Sequence, residues 1–226
     1  MKKQTYFTKN ELILWFSSLG IVGLSFLLFD KNNYISLFAS LIGTTALIFN
    51  AKGNPLGQLL IIIFSILYGI ISYGYSYYGE MITYVGMSLP MAVIALISWL
   101  RNPYNGKRSQ VKVNTVSKKE LVFMLFLSLV VTVLFYFILR ELNTSNLIPS
   151  TFSVITSFIA AYLTFRRSPY FALAYGINDL VLLVLWTLAA LEDTSYLSVL
   201  SCFVVFLIND IYSFISWLKM QKLQNL

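Results

Sequence analysis

Apolar side chains run along the chain in eight blocks, at about 12–29, 34–50, 56–74, 81–100, 120–139, 148–165, 169–191 and 195–217, with short polar breaks between them. A helix needs about 20 apolar residues to cross a bilayer, and each block approaches or reaches that length. Strands of a membrane barrel would alternate apolar and polar at every second residue, a pattern the blocks lack. The expected fold is an all-α integral membrane protein with eight transmembrane helices. "NAKGNPLG" breaks the chain between the second and third blocks, and "RNPYNGKRSQVKVNTVSKKE" (101–120) is the longest polar stretch.

Composition strengthens that reading. The 226 residues are 58% hydrophobic and 11% charged, against about 25% charged in soluble domains. The first block lacks a small-x-small cleavage site and continues to Phe29, so it is expected to be retained as a helix rather than removed as a signal sequence.

A net charge of +7 would suit nucleic acid, but its distribution points to a membrane instead. With eight crossings, all 16 Lys and Arg except Lys31 and Arg140 fall on one side, beginning with Lys2, Lys3 and Lys9. Asp30, Glu80, Glu141, Glu192 and Asp193 fall on the other. Basic residues are retained in the cytoplasm, so both termini and the long basic loop are expected there, with no nucleic-acid partner.

The chain also repeats itself. "SLIGTTALIFNAKGNPLG" leads through a third block, "YYGEM" and a fourth block to "ALISW" at Trp99; "SFIAAYLTFRRSPYF" leads through a seventh block, "EDTSY" and an eighth to "SFISW" at Trp217. Two parallel three-helix units with one connecting helix are a known transporter plan, with the substrate between the units near midplane. The expected organisation is an extra N-terminal helix (1–33), a first repeat (34–100), the basic loop and linker helix (101–147), a second repeat (148–219) and a cytoplasmic tail (220–226). Trp99 and Trp217 end their blocks, where Trp commonly anchors a helix at the membrane interface.

Polar residues inside the blocks supply the candidate chemistry. Asp or Asn at bilayer depth must face protein or water, since a carboxylate there costs on the order of 3 kcal/mol. Tyr175, Asn178, Asp179, Leu182 and Trp186 share one helical face; so, by the same spacing, do Cys202, Phe206, Asn209, Asp210, Ser213 and Trp217. Gln58, Ser65, Tyr68 and Ser72 form a third stripe. The amides can equally serve as interhelical hydrogen-bonding groups. Asp210 lies close enough to the basic end to meet Lys219 or water, whereas Asp179 has no Lys or Arg within any block. With no His, and with Cys202 as the lone cysteine, imidazole triads and intramolecular disulfides are excluded. A membrane-embedded enzyme is therefore disfavoured, no metal or cofactor is called for, and a noncatalytic membrane partner subunit is a remote alternative. No phosphate-cradling glycine loop is present, which excludes an ATPase.

At "FSILYG" (64–69), "YYGEM" (77–81) and Trp99 the chain resembles the PnuC family of bacterial vitamin-nucleoside transporters, and the likeness extends from about residue 36 to 217. In the second repeat that family carries Trp-x-x-Trp with Asp or Asn four residues after the second Trp. "ALAYGIND" (172–179) keeps the acid as Asp179 but has Ala172 and Tyr175 for the two tryptophans. The resemblance implies a SWEET-like three-plus-one-plus-three fold in the bacterial inner membrane. It also implies facilitated diffusion of nicotinamide riboside by alternating access, followed by trapping by a cytoplasmic kinase. Relatives carry deoxynucleosides, thiamine or riboflavin, which leaves those substrates open, as it leaves a homo-oligomer. On this reading Tyr175 and Trp186 stack on the heterocycle; Asn178, Asp179, Asn209 and Asp210 hold polar groups; Gln58 and Tyr68 form the opposite wall. Ala172 would widen the pocket by removing one aromatic wall.

Overall fold

Without water in the hydrocarbon, each segment must satisfy its own backbone, and helices do so. The computed structural model describes residues 6–74, 78–144 and 146–225. Lys2, Lys3 and Tyr77, used in the charge and motif arguments, lie outside the described residues. The chain forms α1 (Lys9–Phe29), α2 (Tyr34–Ala51), α3 (Pro55–Gly74), α4 (Tyr78–Ile82), α5 (Leu89–Arg101), α6 (Lys118–Glu141), α7 (Leu147–Phe165), α8 (Tyr170–Glu192) and α9 (Leu197–Gln224). A π-helical segment, Thr83–Ser88, joins α4 to α5 into one crossing, so the described residues hold eight helices long and apolar enough to span a membrane. The wide turn has a local cause. Pro90 has no N–H for the carbonyl four residues back, and the preceding Leu89 N–H reaches the Tyr84 carbonyl five residues back.

The helices pack reciprocally. In one triplet α3 lies against α2 and α5; in the other α8 lies against α7 and α9. Across the triplets, α2 meets α9 and α5 meets α7. The same side chains seal both crossings. Trp99 of α5 donates its indole N–H to the Thr164 carbonyl of α7, and Trp217 of α9 donates to the Asn50 carbonyl of α2, each at 2.8 Å. Ser98 and Ser216, one residue earlier, donate to the carbonyls of Phe165 and Ala51. Carbonyls of a last helical turn lack intrahelical donors, so each "ISW" caps the partner triplet's first helix. These tryptophans are therefore not interface anchors as expected: Trp99 is 1% exposed and Trp217 fully buried.

α1 and α6 are held alike. Each starts with a hydroxyl cap three residues before a glutamate, Thr8 with Glu11 and Ser117 with Glu120, and the cap oxygen accepts the glutamate's N–H. Glu11 pairs with Lys52 just after α2; Glu120 pairs with Arg166 just after α7. A tyrosine hydroxyl joins each, from Tyr212 and Tyr162. The N-terminal helix thus docks against α2 and α9, one helix of each triplet, by the same device that holds the linker helix against α7.

One expected boundary differs. α9 continues through 220–224, expected as tail, because Met220 is buried against Trp217 and Val111. The basic loop is also ordered: Pro103–Tyr104 (β1) and Lys107–Val111 (β2) form an antiparallel hairpin. Its turn residues Asn105 and Gly106 both have positive φ, 49° and 73°, as a two-residue type I′ hairpin requires.

Candidate functional site

The two triplets enclose a cavity of about 160 Å³ between them. The helix stripes meet there unequally. All five residues of the α8 stripe, Tyr175, Asn178, Asp179, Leu182 and Trp186, line it, joined by Asp210 and Phe206 from α9 and Gln58 and Ser65 from α3. Asn209 is turned away: its amide donates to Ser18 of α1 at 2.9 Å and to the Val205 carbonyl, acting between helices. Tyr68 and Ser72 line a second, outer pocket near Asp30 and Asp193. Ala172 is fully buried beside Trp217 and lines neither pocket, so its small side chain does not widen the cavity.

Second-layer contacts set which ends of the amides face the hollow. Asn178 Oδ1 accepts from Thr156 and Ser157 of α7, at 2.8 and 2.9 Å, leaving its NH2 group as the donor to offer. Gln58 donates to Asn50 Oδ1 of α2 at 2.9 Å, which leaves the Gln58 carbonyl as an acceptor. The close approach of α2 and α3 depends on Gly57. A Cβ there would lie 2.2 Å from Asn50 Oδ1, inside contact distance.

Of the cavity-lining groups without a hydrogen-bond partner among the described residues, Ser65 Oγ, Thr144 Oγ1 and Asp179 Oδ2, only Asp179 is ionisable. It is 3% exposed, and its Oδ2 has no hydrogen-bond partner among the described residues. Asp210 lies within hydrogen-bonding reach of it, Lys219 does not neutralise either acid, and no Lys or Arg is found among the described cavity-lining residues. Aromatic rings form much of the remaining wall. Phe64 packs at 6.0 Å from Tyr84 and 6.2 Å from Phe206, while Trp186 stacks on Phe203 with rings 6.3 Å apart and nearly parallel. An apolar, aromatic hollow with a few fixed donors and acceptors is the usual form of a small-molecule site.

Trp186 and Glu80 line both the cavity and the outer pocket and so stand between them. Sequence reasoning placed Glu80 in an acidic outer turn and missed its inward role, as it missed Asn50, Ser157 and Tyr84. Asn50 and Ser157 carry a faint signal, since each sits in a quoted repeat segment. In the outer pocket, burial and then the neighbouring Asp193 carboxylate hold Asp30 above the usual carboxylate range, against an opposing hydrogen bond from Asn33. Backbone and side-chain bonds from Ser195 hold Asp193 below it.

Eight apolar crossings, seven of which line a polar-aromatic cavity, define a multi-pass membrane transporter. The chain belongs to the nicotinamide mononucleotide transporter family, whose model matches residues 33–219. It is 23% identical over 219 residues to the nicotinamide riboside transporter PnuC of Neisseria mucosa, covering 95% of this chain and 83% of that one. A crystal structure of the vitamin B3 transporter PnuC superposes with a TM-score of 0.82 at 23% identity, covering 96% of this chain and 93% of that one.

Proposed function

We propose that the chain carries nicotinamide riboside, or a closely related nucleoside-like vitamin, across the bacterial inner membrane by alternating access. Net flux follows the concentration gradient, and a cytoplasmic kinase traps the product as a charged phosphate. The basic face is cytoplasmic by the charge asymmetry. The observation that carries the substrate class is Asp179, a buried carboxylate with an unanswered oxygen on an aromatic cavity wall free of basic residues among those described. A buried acid is strongly stabilised by an opposite charge in a poorly screened site, and the pyridinium of nicotinamide riboside supplies one on a flat ring. Trp186, Tyr175 and Tyr84 offer faces for that ring; the Asn178 amide and Gln58 carbonyl offer bonds to ribose hydroxyls. Family membership and the name of the Neisseria relative support the reading.

The test is uptake of labelled nicotinamide riboside by the purified protein in liposomes. Uptake to equilibrium with no proton or sodium gradient is expected. A requirement for such a gradient overturns the mechanism. Failure to bind nicotinamide riboside, with binding of thiamine, riboflavin or a deoxynucleoside, overturns the substrate and leaves the carrier.

A further inference from the structure

The cavity floor toward the basic face is formed by Asn50, Thr164 and Phe171, at the ends of α2 and α7 and the start of α8. Directly below lie the two closing tryptophans. Their rings are 5.4 Å apart, and Phe171 meets Trp217 edge-on at 4.9 Å. The next layer is not a helix of either triplet. It is Val111, from the end of the basic loop's hairpin, fully buried in one cluster with Trp99, Phe171, Trp217 and Met220. Val113 and Val116 extend the same contact.

The segment is also bonded to both triplets. The Val111 N–H donates to the carbonyl of Gly53 in the α2–α3 turn at 2.9 Å. The Asn114 N–H donates to the carbonyl of Arg167 in the α7–α8 turn at 3.0 Å, and its side-chain amide donates to Arg166. Gly53 and Arg167 occupy matching places in the two turns, both left-handed, with φ of 64° and 59°. At Gly53 a side chain would also press on Val111 and Met220 at 3.3 Å. Gln224, at the end of α9, accepts from the Val113 N–H and donates to the Val111 carbonyl.

We infer that residues 103–116 are a strap across the basic-face exit, with Val111 and Gln224 as positioning residues of the gate that Trp99 and Trp217 form. A solute leaving the cavity on this side must part the tryptophans, and parting the triplets here stretches bonds that a single strand makes to both. The basic loop then belongs to the translocation cycle rather than being a tether between repeats. This rests on the transport reading for its meaning and for the second arm of its test, but not for the first.

The test uses the full chain with Cys202→Ala and a reporter Ala95→Cys on the cavity wall. It is labelled in membrane vesicles of each orientation with a charged, membrane-impermeant methanethiosulfonate. Gln224→Ala, which leaves the buried layer intact, and Val111→Ser should each raise labelling from the basic face about fivefold, with labelling from the other face unchanged. A second arm replaces Asn114 and Arg167 by cysteines without the reporter. The oxidised pair should halt exchange of nicotinamide riboside across the membrane while keeping its Kd within about twofold, and reductant should restore exchange. Labelling at the parent rate in both Gln224→Ala and Val111→Ser overturns the proposal, as does exchange by the cross-linked protein at its reduced rate. The labelling arm needs no substrate. A change of substrate therefore leaves it standing, whereas uptake with unmoved labelling removes only the strap.

Discussion

Asp179 and Asn209 show how far a helical face can be read one position at a time. Tyr175, Asn178 and Asp179 form an i, i+3, i+4 series, Trp186 follows Asp179 by seven residues on the same face, and all four reach the cavity. Asn209 and Asp210 are neighbours in sequence, so their side chains diverge by about 100° around the axis. Asp210 faces the hollow and Asn209 faces Ser18 of α1. Nothing in residues 205–217 says which of the two looks inward; the position of α1 does. The unanswered Asp179 oxygen sets the first expectation. Asp179→Asn should weaken nicotinamide riboside by about 2 kcal/mol, roughly thirty-fold in Kd. It should change binding of the uncharged dihydro form only a few-fold. Calorimetric titration of both ligands checks this, and an equal loss for the two would assign Asp179 to hydrogen bonding instead of charge.

The helices themselves were legible because lipid imposes one rule on each segment separately, and length with hydropathy records it. The π-helical segment at Thr83–Ser88 and the hairpin at 103–111 were not anticipated, although "PYNGK" holds an Asn-Gly pair of the kind that makes type I′ turns. The shared docking of α1 and α6 was also hidden, since Glu11 meets Lys52, and Glu120 meets Arg166, only after an intervening helix has turned back. The two pairs should not weigh equally. The Glu11 side chain is 4% exposed and that of Glu120 20%, so water screens the second pair more. Glu11→Ala also frees Tyr212 and the Thr8 N–H. It should cost about 2–3 kcal/mol, and Glu120→Ala about 1 kcal/mol or less. Thermal unfolding in detergent should rank them in that order, with substrate Kd unchanged in both.

For the molecule as a whole, the charge asymmetry makes an orientation testable without any ligand. In a Cys202→Ala background, Ser195→Cys at the acidic end should react with an impermeant thiol reagent on intact cells. Lys107→Cys in the hairpin should react only in inverted vesicles, as expected if the basic end is held inside. The reverse result would invert the proposed direction of import without altering the cavity.

Hydropathy, charge and the repeated "ISW" endings are properties of single stretches, so the number of crossings, their orientation and the matched halves could be argued from the chain alone. The free energy of exposing a segment to lipid or water sums residue by residue, and no partner need be known. The cavity wall, the reciprocal tryptophan bonds and the burial of Val111 arise between segments far apart in sequence. They depend on how the helices are rotated against one another, and only packing in three dimensions sets that.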